Sequence, residues 1–446
     1  MKRFKVFIFN TSVLIITSLI FRGIDIYFTA YISKKIGTEA LGIYQLVMSV
    51  YLFGITLATS GINLSVTRVI SEELALGNNG GVKNIMKKCF NITLVTSIFS
   101  SIIFWTNSSF IVTKWLGGKV SQNVVKLFAL ALPPIAMSSA IAGYFAGVRR
   151  IYKNAIGQFI EHVVKVIITA YILSLFLPKG LEYACFALIL GDLISEIISF
   201  IYIFIIFSLD KRRYNYLPET AVHKSYTYKL LRISAPSSVT AYIRSGLATL
   251  KQIIIPSSLE KSGIHVGRAL SNYGIINGMA LPIIMFPDIL VRTFASLLVP
   301  EFARYNTKKD YKRIKQMVKL LLTIILLASI LLCIFLIIFS NTLGNLIYNN
   351  AEVGFYIKLL APLAIFIYVD TIVDSVLRGL DAQVGVMLIN ILDLAFSISF
   401  IYLAVPKLGL KGYIISIYMS EILNFSVSLI HLIKMVQNRR CLVPKK

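Results

Sequence analysis

Long, nearly uninterrupted apolar runs alternate along this chain with short polar connections. About twelve of them approach the roughly 20 apolar residues that carry a helix across a hydrocarbon core, more than one buried globular core could use. The predicted helices are 8–32, 41–67, 88–113, 124–147, 155–177, 183–208, 230–254, 270–299, 317–339, 354–378, 385–405 and 410–435. The longest polar stretch near the midpoint, 209–229, contains Lys211, Arg212, Arg213 and Pro218 and separates two sets of six helices. The expected organisation is therefore a lobe over 1–208, a cytoplasmic linker over 209–229, and a second lobe over 230–446 that ends in a basic tail.

Composition agrees with lipid as the main solvent. Of 446 residues 57% are hydrophobic and 15% charged, well under the roughly 25% charged residues of a soluble domain. The net charge of +25 would suit a nucleic-acid surface, but the basic residues cluster in alternate connections: 68–88, 149–153, 211–232, 304–319 and 434–446. That is the positive-inside pattern. It puts both termini in the cytoplasm and removes the reason to expect nucleic acid. The amino terminus imitates a secretory signal, but no small-residue cleavage site follows and Arg22 and Asp25 come next, so it is read as a retained first helix. The four cysteines, Cys89, Cys185, Cys333 and Cys441, lack any CxxC spacing, so neither a disulfide nor a metal site is expected.

The two halves repeat each other. Gly147 and Glu161 are matched by Gly379 and Asp393, and Pro178-Lys179-Gly180-Leu181 with Asp192 is matched by Pro406-Lys407-Leu408-Gly409-Leu410 with Glu421. Pro133 and Pro362 are expected to open corresponding helices. An offset of about 230 residues skips six helices, so the halves share one orientation about an axis along the membrane normal. Acids repeated in this way, Glu161 with Asp393 and Asp192 with Glu421, suggest packing inside each lobe. Weak places recur as well: helices 1 and 7 carry ionisable residues, and helices 2 and 8 are rich in Gly, Asn and Pro.

A charge near mid-membrane costs about 2.5 to 3.5 kcal/mol on insertion scales, so each such residue needs a partner or water. Arg22 and Asp25 stand three apart on helix 1 and either pair with each other or face substrate. Arg244 and Lys251, two turns apart on helix 7, have no acid within that helix and suit an anionic group such as a pyrophosphate. The competing reading for both is snorkelling to an interface. Asn63 and Asn277 complete the candidate substrate cavity. Asp370 and Asp374, one turn apart on helix 10, and Glu161 on helix 5 are candidates for coupling to H⁺ or Na⁺; the alternative pairs Asp374 with Arg378, and Asp288 with Arg292. HExxH, GxSxG and P-loop signatures are missing, and His162, His223, His265 and His431 have no ligand spacing, so no enzyme, cofactor or metal centre is expected. The amphipathic stretch from Pro300 to Lys319, with Lys308, Lys309, Lys312, Arg313 and Lys315, is expected on the cytoplasmic surface against anionic lipid.

Several stretches resemble the stage V sporulation protein B branch of the polysaccharide flippases, in the multidrug/oligosaccharidyl-lipid/polysaccharide exporter superfamily that also holds the MATE transporters. They are Gly37-Thr38-Glu39-Ala40-Leu41-Gly42-Ile43-Tyr44-Gln45-Leu46, Gly61-Ile62-Asn63-Leu64-Ser65 through Arg68-Val69-Ile70-Ser71-Glu72, and Tyr273-Gly274-Ile275-Ile276-Asn277-Gly278-Met279-Ala280-Leu281-Pro282, followed by Phe286-Pro287 and Leu298-Val299-Pro300-Glu301. The resemblance implies an all-α membrane protein of two parallel six-helix lobes around a central cavity, working by alternating access. It implies lipid-linked oligosaccharide or peptidoglycan precursors on undecaprenyl pyrophosphate as substrate, in the cell membrane, with a role in spore cortex or envelope polysaccharide synthesis. Cationic first-helix residues line the cavity of related murein-precursor flippases, and only Arg22 matches them here. Two alternatives stand beside this reading: a MATE-like cation antiporter, which needs an acidic cavity, and a sporulation scaffold without transport.

Overall fold

The computed structural model describes residues 2–212 and 226–438. Most of the linker and the basic tail, with His223 and Cys441, lie outside them. The described residues are almost wholly helical, without a strand: α1 (Lys2–Thr59), α2 (Ile62–Ala75), α3 (Gly81–Thr106), α4 (Ser108–Phe110), α5 (Gln122–Gly147), α6 (Ile151–Phe176), α7 (Leu181–Lys211), α8 (Tyr226–Lys261), α9 (Val266–Tyr273), α10 (Leu281–Ile284), α11 (Asp288–Thr307), α12 (Tyr311–Tyr348), α13 (Ala351–Leu360), α14 (Leu363–Gly379) and α15 (Gln383–Asn438). Backbone amides and carbonyls cannot be left unpaired in hydrocarbon, and helices satisfy them internally.

Seven stretches are long and apolar enough to span a membrane, or nine when two bent pairs are each counted as one span. Two of the seven are double. α1 turns at Gly37 (φ 81°) and α15 at Gly409 (φ 58°), conformations that a side chain would strain. With α8, whose prolines and charges keep it out of the apolar set, the described residues hold twelve helical runs.

Three runs and one connecting stretch differ in shape from the prediction. The second breaks at Ser60–Gly61 before continuing as α2. The eighth passes from α9 through a π-helical stretch, Gly274–Ala280, and bends by 55° before α11; the tenth bends by 51° between α13 and α14. The stretch from Pro300 to Lys319 is no single amphipathic helix, because α11 stops at Thr307 and Asp310 caps a new helix by accepting the Arg313 N–H at 3.1 Å. Pro362 does stand at the head of α14, whereas Pro133 lies inside α5. Proline there leaves the carbonyl four residues back without its amide; the Ser101 hydroxyl donates to it, Ala129 O, at 2.7 Å.

The chain forms two compact units, one of residues 1–24 with 46–249 and the other of 25–45 with 250–446. In the first, α2 lies against α5 at glycines: a Cβ at Gly143 would meet Asn63 O at 2.8 Å, and Thr67 Oγ1 donates to Gly143 O at 3.1 Å. The polar face of α8 closes this unit as a row of hydroxyls. Ser238 donates to Ser60 O (2.7 Å), Tyr242 to Leu57 O (3.1 Å), Ser245 to Thr56 Oγ1 (3.1 Å) and Thr249 to Ser49 O (3.0 Å). These positions recur every three or four residues, so they share one helix face. At one end, buried Asp210 accepts from Arg150 at 2.6 Å, Lys153 at 2.5 Å and Tyr144 at 2.9 Å.

In the second unit the later run of α1 approaches α9 and the π-helical stretch. A Cβ at Gly42 would meet Leu270 O at 2.1 Å and one at Gly274 would meet Thr38 O at 2.5 Å. Close backbone contact of this kind needs small residues, the usual device for packing helices in lipid. α11, α12 and α14 and the end of α15 share a core around Phe302, Ile314, Val373 and Leu432.

Candidate functional site

The first unit holds an open cavity of about 410 Å³ with many polar side chains in its lining. Five helices build it. α6 supplies Asn154, Gln158, Glu161 and Lys165 at steps of four, three and four, one helix face; α7 supplies Asp192, Ser195, Glu196 and Ser199 in the same way. Ser138 and Ser139 of α5 and Asn63 of α2 face them, with Tyr51 of α1 adding an aromatic wall. Lys165 Nζ lies 2.8 Å from Asp192 Oδ1. Three carboxylates thus share the space with one lysine, an arrangement able to hold a cation, to carry a proton, or to bind hydroxyl and amide groups.

Asn63 and Glu161, assigned from sequence to different roles, meet in this cavity. Asn63 also donates to Ser139 O at 3.4 Å. Glu196 escaped the sequence reading; its signal was the polar face Asp192, Ser195, Glu196 and Ser199 on an otherwise apolar helix.

The second unit holds its own nest of charge. Lys251 of α8 lies within electrostatic reach of Asp393 and Glu421, both on α15. Lys251, which has no acid within its own predicted helix, is thus accompanied by two acids from another helix. Ser420 donates to Asp393 Oδ1 at 2.6 Å, and Asn424 Nδ2 to Asp370 Oδ2 at 2.8 Å. Asp370 Oδ1 and Asn424 Oδ1 are enclosed without a hydrogen-bond partner. Asp374 pairs with Arg378 at 3.5 Å and Asp288 with Arg292. Asn277 is engaged too, donating to Tyr413 Oη at 2.7 Å and Tyr273 O at 3.2 Å.

Arg22 and Asp25 are half-buried on α1. Arg22 Nε is enclosed with no hydrogen-bond partner, and the neighbouring Phe21 stacks on His162 at 4.4 Å. Arg244 is exposed, midway along α8. It lies on a different side of that helix from the hydroxyl row.

Residues 7–305 match the family described as polysaccharide biosynthesis protein. Stage V sporulation protein B of Bacillus subtilis (strain 168) is 24% identical over 96% of this chain and 83% of its own. The lipid II flippase MurJ of the same organism is 23% identical over 84% of this chain and 73% of its own. Among solved structures, an inward-facing multidrug resistance MATE transporter of the MOP superfamily superposes with a TM-score of 0.76 at 13% identity, over 96% of each chain. A MOP superfamily transporter from Pyrococcus furiosus superposes at 0.67 and 13% identity, over 97% of this chain and 96% of its own. The fold is thus that of the MOP transporters, the protein is a multi-pass membrane protein, and the chain belongs to the polysaccharide biosynthesis protein family.

Proposed function

We propose that this protein is a flippase that carries a lipid-linked oligosaccharide or peptidoglycan precursor, bearing a pyrophosphate, across the cell membrane by alternating access, and that it performs no chemistry on it. Arg244 carries the reading. A guanidinium halfway along a membrane helix, exposed and with neither an ion pair nor a hydrogen bond among the described residues, is tolerated only where water or an anion meets it. Arg22, with its enclosed and unpartnered Nε, adds a second cation. The similarity to a lipid II flippase and to a sporulation protein supports a cell-envelope or spore-cortex glycan as cargo. The basic connections support cytoplasmic termini.

Coupling to H⁺ or Na⁺ is part of the same proposal. Asp370 and Asn424 are hydrogen-bonded neighbours, and each keeps an unpartnered oxygen that a monovalent cation or a proton would satisfy. A second reading, a MATE-like antiporter of organic cations, is favoured by the carboxylate excess of the first unit's cavity. Vesicles containing the purified protein and a labelled lipid-linked precursor decide between them. Arg244→Ala is expected to lower translocation at least about tenfold while membrane insertion stays normal, and Arg244→Lys to retain part of it. Unchanged translocation in Arg244→Ala defeats the assignment, and cation efflux without precursor movement selects the antiporter.

A further inference from the structure

A second cavity, of 560 Å³, opens where the turn between α11 and α12 meets the end of α15. Lys309, Tyr311, Lys312, Lys315, Gln316 and Val436 line it. Its one acid, Asp310, is engaged with the backbone N–H of Arg313 at 3.1 Å. The Arg313 guanidinium lies over the Tyr305 ring, 5.6 Å from its centroid. Three lysines therefore face one recess with a single, already engaged carboxylate among them. They crowd the positive end of a helix macrodipole, where cations repel the unpaired amides, so an anion in the recess relieves both repulsions.

The recess is rigidly founded. Ile314, between the lysines, is buried in the core of the second unit, and Tyr311 and Val436 pack against that core. Beyond it α12 exposes Leu320, Ile324, Leu327 and Leu331, spaced by three and four residues along one face. Lys312 and Gln316 precede Leu320 at four-residue steps, so the basic recess opens onto the head of an apolar stripe on a membrane helix.

We infer that the Lys309, Lys312 and Lys315 recess is a binding site for the headgroup of an anionic phospholipid, with the acyl chains lying along the α12 stripe. Charge complementarity selects the phosphate, and continuity with the stripe selects a lipid over a soluble anion. The site is separate from the polar nests assigned to transport, and it does not depend on which leaflet the turn faces.

Native mass spectrometry of the full-length protein in detergent, titrated with phosphatidylglycerol and with phosphatidylcholine, tests it. The wild type is expected to prefer phosphatidylglycerol at least about tenfold. The Lys309→Gln, Lys312→Gln, Lys315→Gln triple variant should lose that preference, and the corresponding Lys→Arg triple variant should keep it. Replacing Lys83, Lys87 and Lys88, exposed basic residues of α3, with Gln should leave it intact. Undiminished preference in the first triple variant, or equal loss on replacing the α3 lysines, overturns the inference. Displacement of phosphatidylglycerol by millimolar inorganic phosphate also overturns it, because the recess would then be a soluble-anion site.

Discussion

Lys165 and Asp192 form the most constrained pair in the first unit's cavity, 2.8 Å apart with Asp192 buried. Attraction between such charges roughly offsets the cost of removing them from water, whereas removing one partner strands the other. Lys165→Met is therefore expected to lower the melting temperature of the purified protein and to slow transport without abolishing it. Adding Asp192→Asn should restore much of the lost stability, a coupling that a double-mutant cycle of melting temperatures measures. Independent, additive losses would show that the pair is not coupled. Asp370 and Asn424 present the opposite case, since each keeps a buried oxygen without a hydrogen-bond partner, which adds nothing to the stability of the fold and under the proposed coupling would receive a cation or proton. Asp370→Asn is expected to leave the protein folded and to remove the response of precursor transport to an imposed Na⁺ or pH gradient. A fully retained gradient response in that variant would place coupling elsewhere.

Helices in lipid gain nothing from hydrophobic burial against one another, so contact geometry decides their packing. At Gly42 and Gly274 the backbones touch through missing side chains. Gly42→Val would force them apart, and loss of the monodisperse peak in size-exclusion chromatography is expected. The hydroxyl row of α8 is a weaker and more distributed device. Each interhelical hydrogen bond in a membrane contributes about 0.6 kcal/mol, so Ser238→Ala or Tyr242→Phe alone should shift thermal stability only slightly, and combined replacement of all four hydroxyls should shift it additively. The row also revises the meaning of a sequence signal. The Ser and Thr residues of α8 are polar enough to line a water-filled path, yet one face of the helix is spent on the carbonyls and hydroxyl of α1 and the adjoining Ser60. Arg244, off that face, keeps the candidate role.

Across the whole molecule the internal repeat is read as much in chemistry as in spacing. Glu161 and Asp192 of the first unit and Asp393 and Glu421 of the second occupy matching places, and each pair has a lysine nearby. The lysine differs in origin: Lys165 shares α6 with Glu161, whereas Lys251 reaches Asp393 and Glu421 from α8. Equivalent acids with non-equivalent bases mean that the two nests need not serve one purpose. Neutralising Lys165 and Lys251 separately is expected to give different transport phenotypes, one altering precursor selectivity and the other altering gradient dependence, in vesicle assays run at matched protein density. Identical phenotypes would return both nests to a common structural role.

The helical membrane class and the number of helical runs were legible along the chain, because hydropathy over 20 residues and a conformational choice forced by lipid are local properties. The i, i+4 pair of Asp374 with Arg378 was legible for the same reason. Breaks inside the second, eighth and tenth runs were not, since a bend depends on which neighbour receives the freed backbone groups, as Ser101 does at Ala129. Which carboxylate meets which lysine, why Glu196 belongs beside Glu161, and why Lys251 is accompanied depend on contacts between residues tens to more than a hundred positions apart. Those pairings are decided by helix rotation and close approach at glycines, which only the folded chain specifies.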